Sequence, residues 1–132
     1  MFIDASAIVA MITQEPEALP FLDAVEATVD PITSAVAIFE AALGICRKRQ
    51  STIDEAYEDV RELLEEANIR VVAIGEIEAV EALSAFARYG KGRGHPAQLN
   101  LGDCFAYAAA TTNSVPLLFK GNDFSKTDIA VA

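Results

Sequence analysis

MFIDASAIVAMI, residues 1–12, changes character at its fourth residue. Met1 to Ala5 reads as a short buried strand, and Ser6 to Thr13 continues as a helix. A strand that runs directly into a helix opens a βα unit, so this stretch selects the α/β class. Its only charged side chain is Asp4, at the junction. Two later windows share the peculiarity: Ala35 to Cys46 holds Glu40 alone, and Leu99 to Phe119 holds Asp103 alone. No Lys or Arg falls inside any of the three windows. An ionised carboxylate drawn into an apolar core is costly unless it is paired or bound to a metal. Three lone acids that converge in space would therefore make a cation site.

Outward from residue 12 the alternation continues. Pro16 fits an early helical position, and Glu17 to Thr28 repeats Leu19, Leu22 and Val25 at helical spacing. Asp30-Pro31 breaks the chain before a short extended piece, Ile32-Thr33, and Ser34 is a good N-cap for a helix to about Arg49. Thr52-Ile53-Asp54-Glu55 has the capping-box pattern and opens a charged amphipathic helix to about Asn68. IRVVAI, residues 69–74, reads as a buried strand, followed by a helix from Glu76 to Tyr89 that ends at Gly90. Gly90 to Pro96 is a loop, Leu101 to Asn113 a helix, Val115 to Phe119 a strand, and Gly121-Asn122 a turn. Asp128 to Val131 is a candidate short edge strand. With no repeat or linker, residues 1–132 read as a single domain with a parallel sheet between helices. Such sheets bind ligands at the carboxyl ends of their strands, near a switch in strand order. Asp4 ends the first strand, Asp123 follows the last by one tight turn, Asp103 lies in a first helical turn, and Glu40 points inward between Phe39 and Ala41.

Composition narrows the class. Hydrophobic residues make up 52% of the chain, which excludes disorder. No apolar run reaches the ~18 residues of a membrane span. The start has no basic n-region and carries Asp4 within its apolar stretch, so a signal peptide is not expected and the chain reads as cytoplasmic. Cys46 and Cys104 lack CxxC or His spacing and read as reduced core residues rather than zinc ligands. The net charge of −10 argues against nucleic acid, whose phosphates need Lys and Arg. However, ten of the twenty acids lie between Asp54 and Glu81, which leaves room for a local basic rim. A strongly acidic body also suits a basic protein partner.

Like charges ~4 Å apart cost about 4 kcal/mol at an effective dielectric of ~20, so clustered carboxylates require cations or shared protons. Oxygen donors without His or Cys suit Mg²⁺ or Mn²⁺. FIDASA near the start, IFEAALGI in the middle, LNLGDCFAYAAA later and LLFKGNDFSKTDI near the end occur in an order that resembles a PIN domain, specifically the VapC group of bacterial toxin ribonucleases. The resemblance covers nearly the whole chain. It implies a three-layer α/β/α fold around a central, mostly parallel sheet. It also implies Mg²⁺- or Mn²⁺-dependent endonucleolytic cleavage of RNA, with transfer or ribosomal RNA as candidate substrates. A VapB-like antitoxin whose tail enters the active-site groove is implied too, as is a homodimer. Carried over by motif, Asp4 and Asp103 become the main metal ligands, Glu40 a third acid that binds metal or orients water, and Asp123 a more loosely engaged fourth. Ser6 becomes a candidate site hydroxyl.

Most of these residues also have a structural use. Asp4 can cap the helix that follows it, and Ser6 is as good a cap as a site hydroxyl. Asp103 suits a helix start through the dipole. Asn-Asp after Gly is ordinary turn chemistry for Asp123, while Asp128 either substitutes for it or flanks the last strand. Glu40 has no such use unless a distant Arg pairs with it. His95, before Pro96, has no partner by spacing and reads as loop. Arg88, Lys91, Arg93 and Lys120 are the candidate RNA contacts, the first three equally serving as helix-end and loop charges. Arg47-Lys48-Arg49 most simply complements the end of its helix. Beside the toxin, two other functions stay open: a non-toxin PIN nuclease of RNA processing, and a catalytically inactive cation-binding interaction module. A receiver-like phosphoacceptor fits the placement of the acids poorly.

Overall fold

Four parallel strands form the centre of the computed structural model, which describes residues 1–132. In chain order the elements are β1 (Phe2–Ile3), α1 (Ala5–Ile12), α2 (Ala18–Glu26), β2 (Ile32–Ser34), α3 (Ala35–Arg49), α4 (Ile53–Glu66), β3 (Arg70–Val72), α5 (Glu76–Tyr89), α6 (Leu101–Thr112) and β4 (Leu117–Leu118), with a 3-10 turn at Phe124–Lys126. The strand order is β3-β2-β1-β4, flanked by the helices in a three-layer α/β/α arrangement. β1 is interior: Phe2 stands in register with Ile32 of β2 and with Leu117 of β4. The chain builds outward from β1 through β2 to β3, then crosses back to place β4 on the other side. The switch in strand order therefore falls beside β1, and Asp4 is the residue that leaves its carboxyl end.

Local chemistry sets these boundaries. Asp4 has extended backbone and caps α1, so helix begins at Ala5 and the strand is shorter than the sequence suggests. Ser34 ends β2 and also caps α3, its hydroxyl accepting from the Ala37 amide at 3.3 Å. Thr52 does the same for α4 at 3.1 Å from Glu55 N. Phe2 and Ile3 are fully buried, and Ala106, Ala108, Ala109 and Ala110 are buried along α6, where short side chains let the helix lie close to its neighbours.

Two expectations change. IRVVAI yields only Arg70–Val72, and this is an edge strand rather than a buried one: it pairs with β2 alone, and only Val72 is buried. Arg70 faces out to grip Asp30 with Nε and Nη2 at 3.1 and 2.7 Å. At the C-terminus no strand forms over Asp128–Val131, only a single parallel bridge between Leu117 and Val131.

The tail is held by two backbone bonds, Leu117 N to Ala130 O at 2.8 Å and Ala132 N to Leu117 O at 2.9 Å, and from its side chains. The buried Tyr107 hydroxyl donates to Asp128 Oδ1 at 2.6 Å and accepts from Arg88 Nη2 at 2.6 Å. The Arg88 guanidinium lies 4.8 Å from the Tyr89 ring centre and 5.7 Å from that of Tyr107, and pairs with Asp128 at 3.4 Å. Burial, then the bond to Asp128, pushes the Tyr107 phenol up to about 12. Tyr107→Phe should lower unfolding free energy by about 1–2 kcal/mol in a urea titration. An unchanged midpoint would mean that this network does not hold the tail.

Candidate active site

Asp4 is 5% exposed, and its carboxylate Oδ2 accepts from the Ser6 amide at 3.0 Å and from the Ser6 hydroxyl. Capping and site duty thus fall on one residue: the cap fixes the rotamer of an acid that ends the central strand. Ser6 Oγ in turn accepts from the Lys120 amide at 3.0 Å, tying the segment after β4 to Asp4. The cap of α1 is Asp4 rather than Ser6, whose hydroxyl instead lies in the cavity lining beside Asp4. Burial is the main reason that the Asp4 carboxyl titrates above its usual range; the Ser6 bonds oppose this, and the charge of Asp123 adds to it.

Asp103 is placed by a reciprocal cap. Its Oδ2 accepts from the Asn100 amide at 3.0 Å, while its own amide donates to Asn100 Oδ1 at 2.9 Å. Burial raises it to about 6, opposed by the Asn100 bond and helped by the charges of Asp4 and Asp123. Glu40 comes from α3, with no hydrogen bond and no ion pair to hold it. Burial raises it to about 7, reinforced by Asp4 and Asp103. No distant Arg pairs with it, so the structural use left open for Glu40 is not realised.

What seats Glu40 is a residue the sequence reading passed over. A Cβ on Gly102 would lie 2.0 Å from Glu40 Oε1 and 2.1 Å from Oε2. Glycine in a helix costs about 1 kcal/mol relative to alanine, so a glycine in the first turn of α6, beside a lone acid, was the available signal.

Asp4, Ser6, Glu40 and Asp103 line one open cavity of about 600 Å³ at the carboxyl end of β1. Asp123 is exposed and outside that lining, yet near enough for its charge to raise both Asp4 and Asp103. Asp128 belongs to the tail network instead. The carboxylates stand open, since no three of them close around a common point as chelators. Such an all-oxygen, unclosed set fits Mg²⁺ or Mn²⁺, ions that keep several waters and take few carboxylates directly. The Gly102 seat, which a side chain would fill, fits the same use.

The basic residues sort differently from the expectation. Lys120 lines the cavity, and so do Arg47 and Lys48, which the sequence reading gave to the helix end. Arg49 is a structural residue, bonded to Asp59 at 3.2 Å and to the Ile12 carbonyl. Arg88 is committed to Tyr107 and Asp128, and Lys91 and Arg93 lie exposed in the loop after α5; the structure brings none of the three to the cavity. His95 is also elsewhere, its Nδ1 accepting from Ala97 N at 3.1 Å. Cys104 is buried, its thiol pushed up to about 11 first by burial.

A PIN-domain family model matches residues 1–130. A VapC ribonuclease of Rhizobium meliloti is 40% identical, covering 97% of this chain and 98% of that protein. Ribonuclease VapC30 of Mycobacterium tuberculosis is 44% identical over 98% of this chain and 96% of its own. Among solved structures, a toxin-antitoxin complex from Klebsiella pneumoniae superposes with a TM-score of 0.73 at 17% identity, covering 99% of this chain and 95% of that one, a likeness of fold.

The acids give a pH signature. Glu40 rises from 4.5 to about 7 on folding, so between these values the metal-free fold holds more protons than the unfolded chain. Stability then falls as pH rises through that window. With a chelator present, the melting temperature should fall from about pH 5 to about pH 8, and Glu40→Gln should flatten the slope. A level or rising profile contradicts the burial of Glu40 beside Asp4 and Asp103. Gly102→Ala, by displacing the Glu40 carboxylate, should weaken Mn²⁺ binding about tenfold in a calorimetric titration. Unchanged affinity would remove Glu40 from the ion site.

Proposed function

We propose that this chain, which belongs to the PIN-domain family and within it to the VapC ribonucleases, is the toxin of a VapBC-type pair: an endoribonuclease that hydrolyses RNA phosphodiester bonds with water. One observation carries the site assignment. Three carboxylates from separate uncharged windows, Asp4, Glu40 and Asp103, line one cavity beside the switch in strand order.

In this reading Asp4 and Asp103 hold Mg²⁺ or Mn²⁺, Glu40 serves as the third acid, and Asp123 contributes from the rim. When bound, the ion supplies Lewis acidity and offsets the charge that builds on the phosphate during displacement. The protein supplies the rest. Ser6 and the α1 cap fix Asp4, and the Asn100 box fixes Asp103, so neither must reorganise during the reaction. Glu40 is free of hydrogen bonds and titrates near neutrality, which suits it to orient the attacking water and take its proton as the P–O bond breaks.

The partners follow from the same reading. The acidic side of the cavity, with Asp4, Glu40 and Asp103, suits the basic tail of a VapB-like antitoxin. A homodimer is supported by the apolar face that α5 and α6 present to solvent, with Ile77, Val80, Leu83 and Leu101 each more than half exposed. No helix is long and apolar enough to cross a membrane, and the reading places this single-domain toxin in the cytoplasm.

The test is incubation of the antitoxin-free protein with total cellular RNA, with and without Mg²⁺ or Mn²⁺. Discrete cuts should appear only with the ion, vanish in Asp4→Asn, and slow roughly 10²-fold in Glu40→Gln. Intact RNA with folded, metal-loaded protein would instead favour the inactive binding module. Cleavage without any toxic effect of the chain when expressed alone would favour an RNA-processing nuclease.

A further inference from the structure

The cavity is electrically divided. Asp4, Glu40 and Asp103 occupy one side, while Arg47, Lys48 and Lys120 also line it together with a fourth acid, Glu15. Glu15 lies in the turn between α1 and α2, held there by its amide donating to the Ala10 carbonyl at 3.0 Å. Its side chain is 12% exposed, and its two oxygens are divided between two cations: Oε1 pairs with Lys48 Nζ and Oε2 with Lys120 Nζ. Thr13 Oγ1, which donates to the Val9 carbonyl at 2.8 Å, lies 3.3 Å from Oε1. Lys120 makes a second pair with Glu17 at 3.2 Å. Arg47, one residue before Lys48, has no ion pair. The three cations come from the last turn of α3 and from the segment after β4, and Glu15 joins these two otherwise separate strips.

A carboxylate bridging two ammonium groups in an open cavity occupies the place of an anion. Phosphate oxygens compete for the same N–H donors and carry more charge-assisted bonding capacity. We propose that Arg47, Lys48 and Lys120 form a subsite for an RNA backbone phosphate next to the one cut, and that Glu15 is the internal anion that holds the two lysines until RNA displaces it. The proposal rests on the RNA-hydrolase reading and deepens it. It also accounts for how a chain of net charge −10 engages a polyanion: the contact is confined to a cationic strip, and the two lysines of that strip are paired with Glu15 when it is empty. Glu15 is therefore a positioning residue, setting the lysines at the cavity wall and the threshold for entry of the strand.

The probe is a fluorescent single-stranded RNA oligonucleotide of mixed sequence, titrated across a range of NaCl with Ca²⁺ in place of Mg²⁺ to suppress cleavage. Glu15→Gln keeps the shape but removes the charge, and should tighten binding roughly 3- to 10-fold. Lys48→Ala and Lys120→Ala should each weaken binding and reduce the slope of log affinity against log salt by about 0.7. Thermal melts of each variant separate loss of fold from loss of contact. Weaker binding in folded Glu15→Gln, or an unchanged salt slope in both folded lysine variants, overturns the subsite while wild-type binding leaves the RNA reading in place. RNA bound by neither wild type nor Glu15→Gln overturns the RNA reading and the subsite together.

Discussion

Like charge held together in one cavity is the constraint on which the rest of this molecule depends. Burial raises all three carboxyls; Asp4 adds to Glu40 and Asp103, Asp103 adds to Glu40, and Asp123 adds to Asp4 and Asp103 from the rim. Such an arrangement persists only because each acid is positioned by something other than attraction to a neighbour. Asp4 is locked as a helix cap, Asp103 by its reciprocal cap with Asn100, and Glu40 by a seat that Gly102 leaves open. The fold spends ordinary secondary-structure chemistry, N-capping at two helix starts, on holding an unfavourable electrostatic state. The caps thereby couple the start of α1 and the start of α6 to the same few ångströms of space.

Topology then decides where that space lies. β1 is two residues long and interior, with β2 and β4 on either side, and the chain reverses direction of growth across it. The strand's brevity matters, because Asp4 emerges directly from fully buried backbone and its amide still bonds to the Leu118 carbonyl at 3.0 Å. Lys120, two residues further along, donates its amide to Ser6 and sends its side chain to Glu15. One short segment after β4 thus reaches both the acidic and the cationic sides of the cavity. The proposed ion site and the proposed phosphate subsite are adjacent for that reason.

The acids were legible in sequence because uncharged windows isolate them: a lone carboxylate in an apolar run has few structural excuses. The alternation of strands and helices was legible for a related reason, since capping residues such as Ser34 and Thr52 punctuate it. What failed to show was relative placement. IRVVAI is β-rich whether its strand is central or at an edge, and only the pairing with β2 alone decides. Arg47, Lys48 and Arg49 complement a helix dipole equally well, yet two line the cavity and one braces α4. Arg88 looked free in sequence and is consumed by Tyr107 and Asp128, forty residues from it in the case of the acid. Gly102 showed only as a helix glycine beside a lone acid, because its value lies in what it omits against Glu40 of another helix.

The central claim, that these carboxylates form a divalent-cation site, is tested most directly by anomalous diffraction from crystals of the protein grown in Mn²⁺. The account predicts a Mn²⁺ peak in the cavity, bounded by Asp4 and Asp103, with waters completing its shell toward Glu40. A map with no peak there, or with Mn²⁺ bound only among the surface acids of α4, would contradict it.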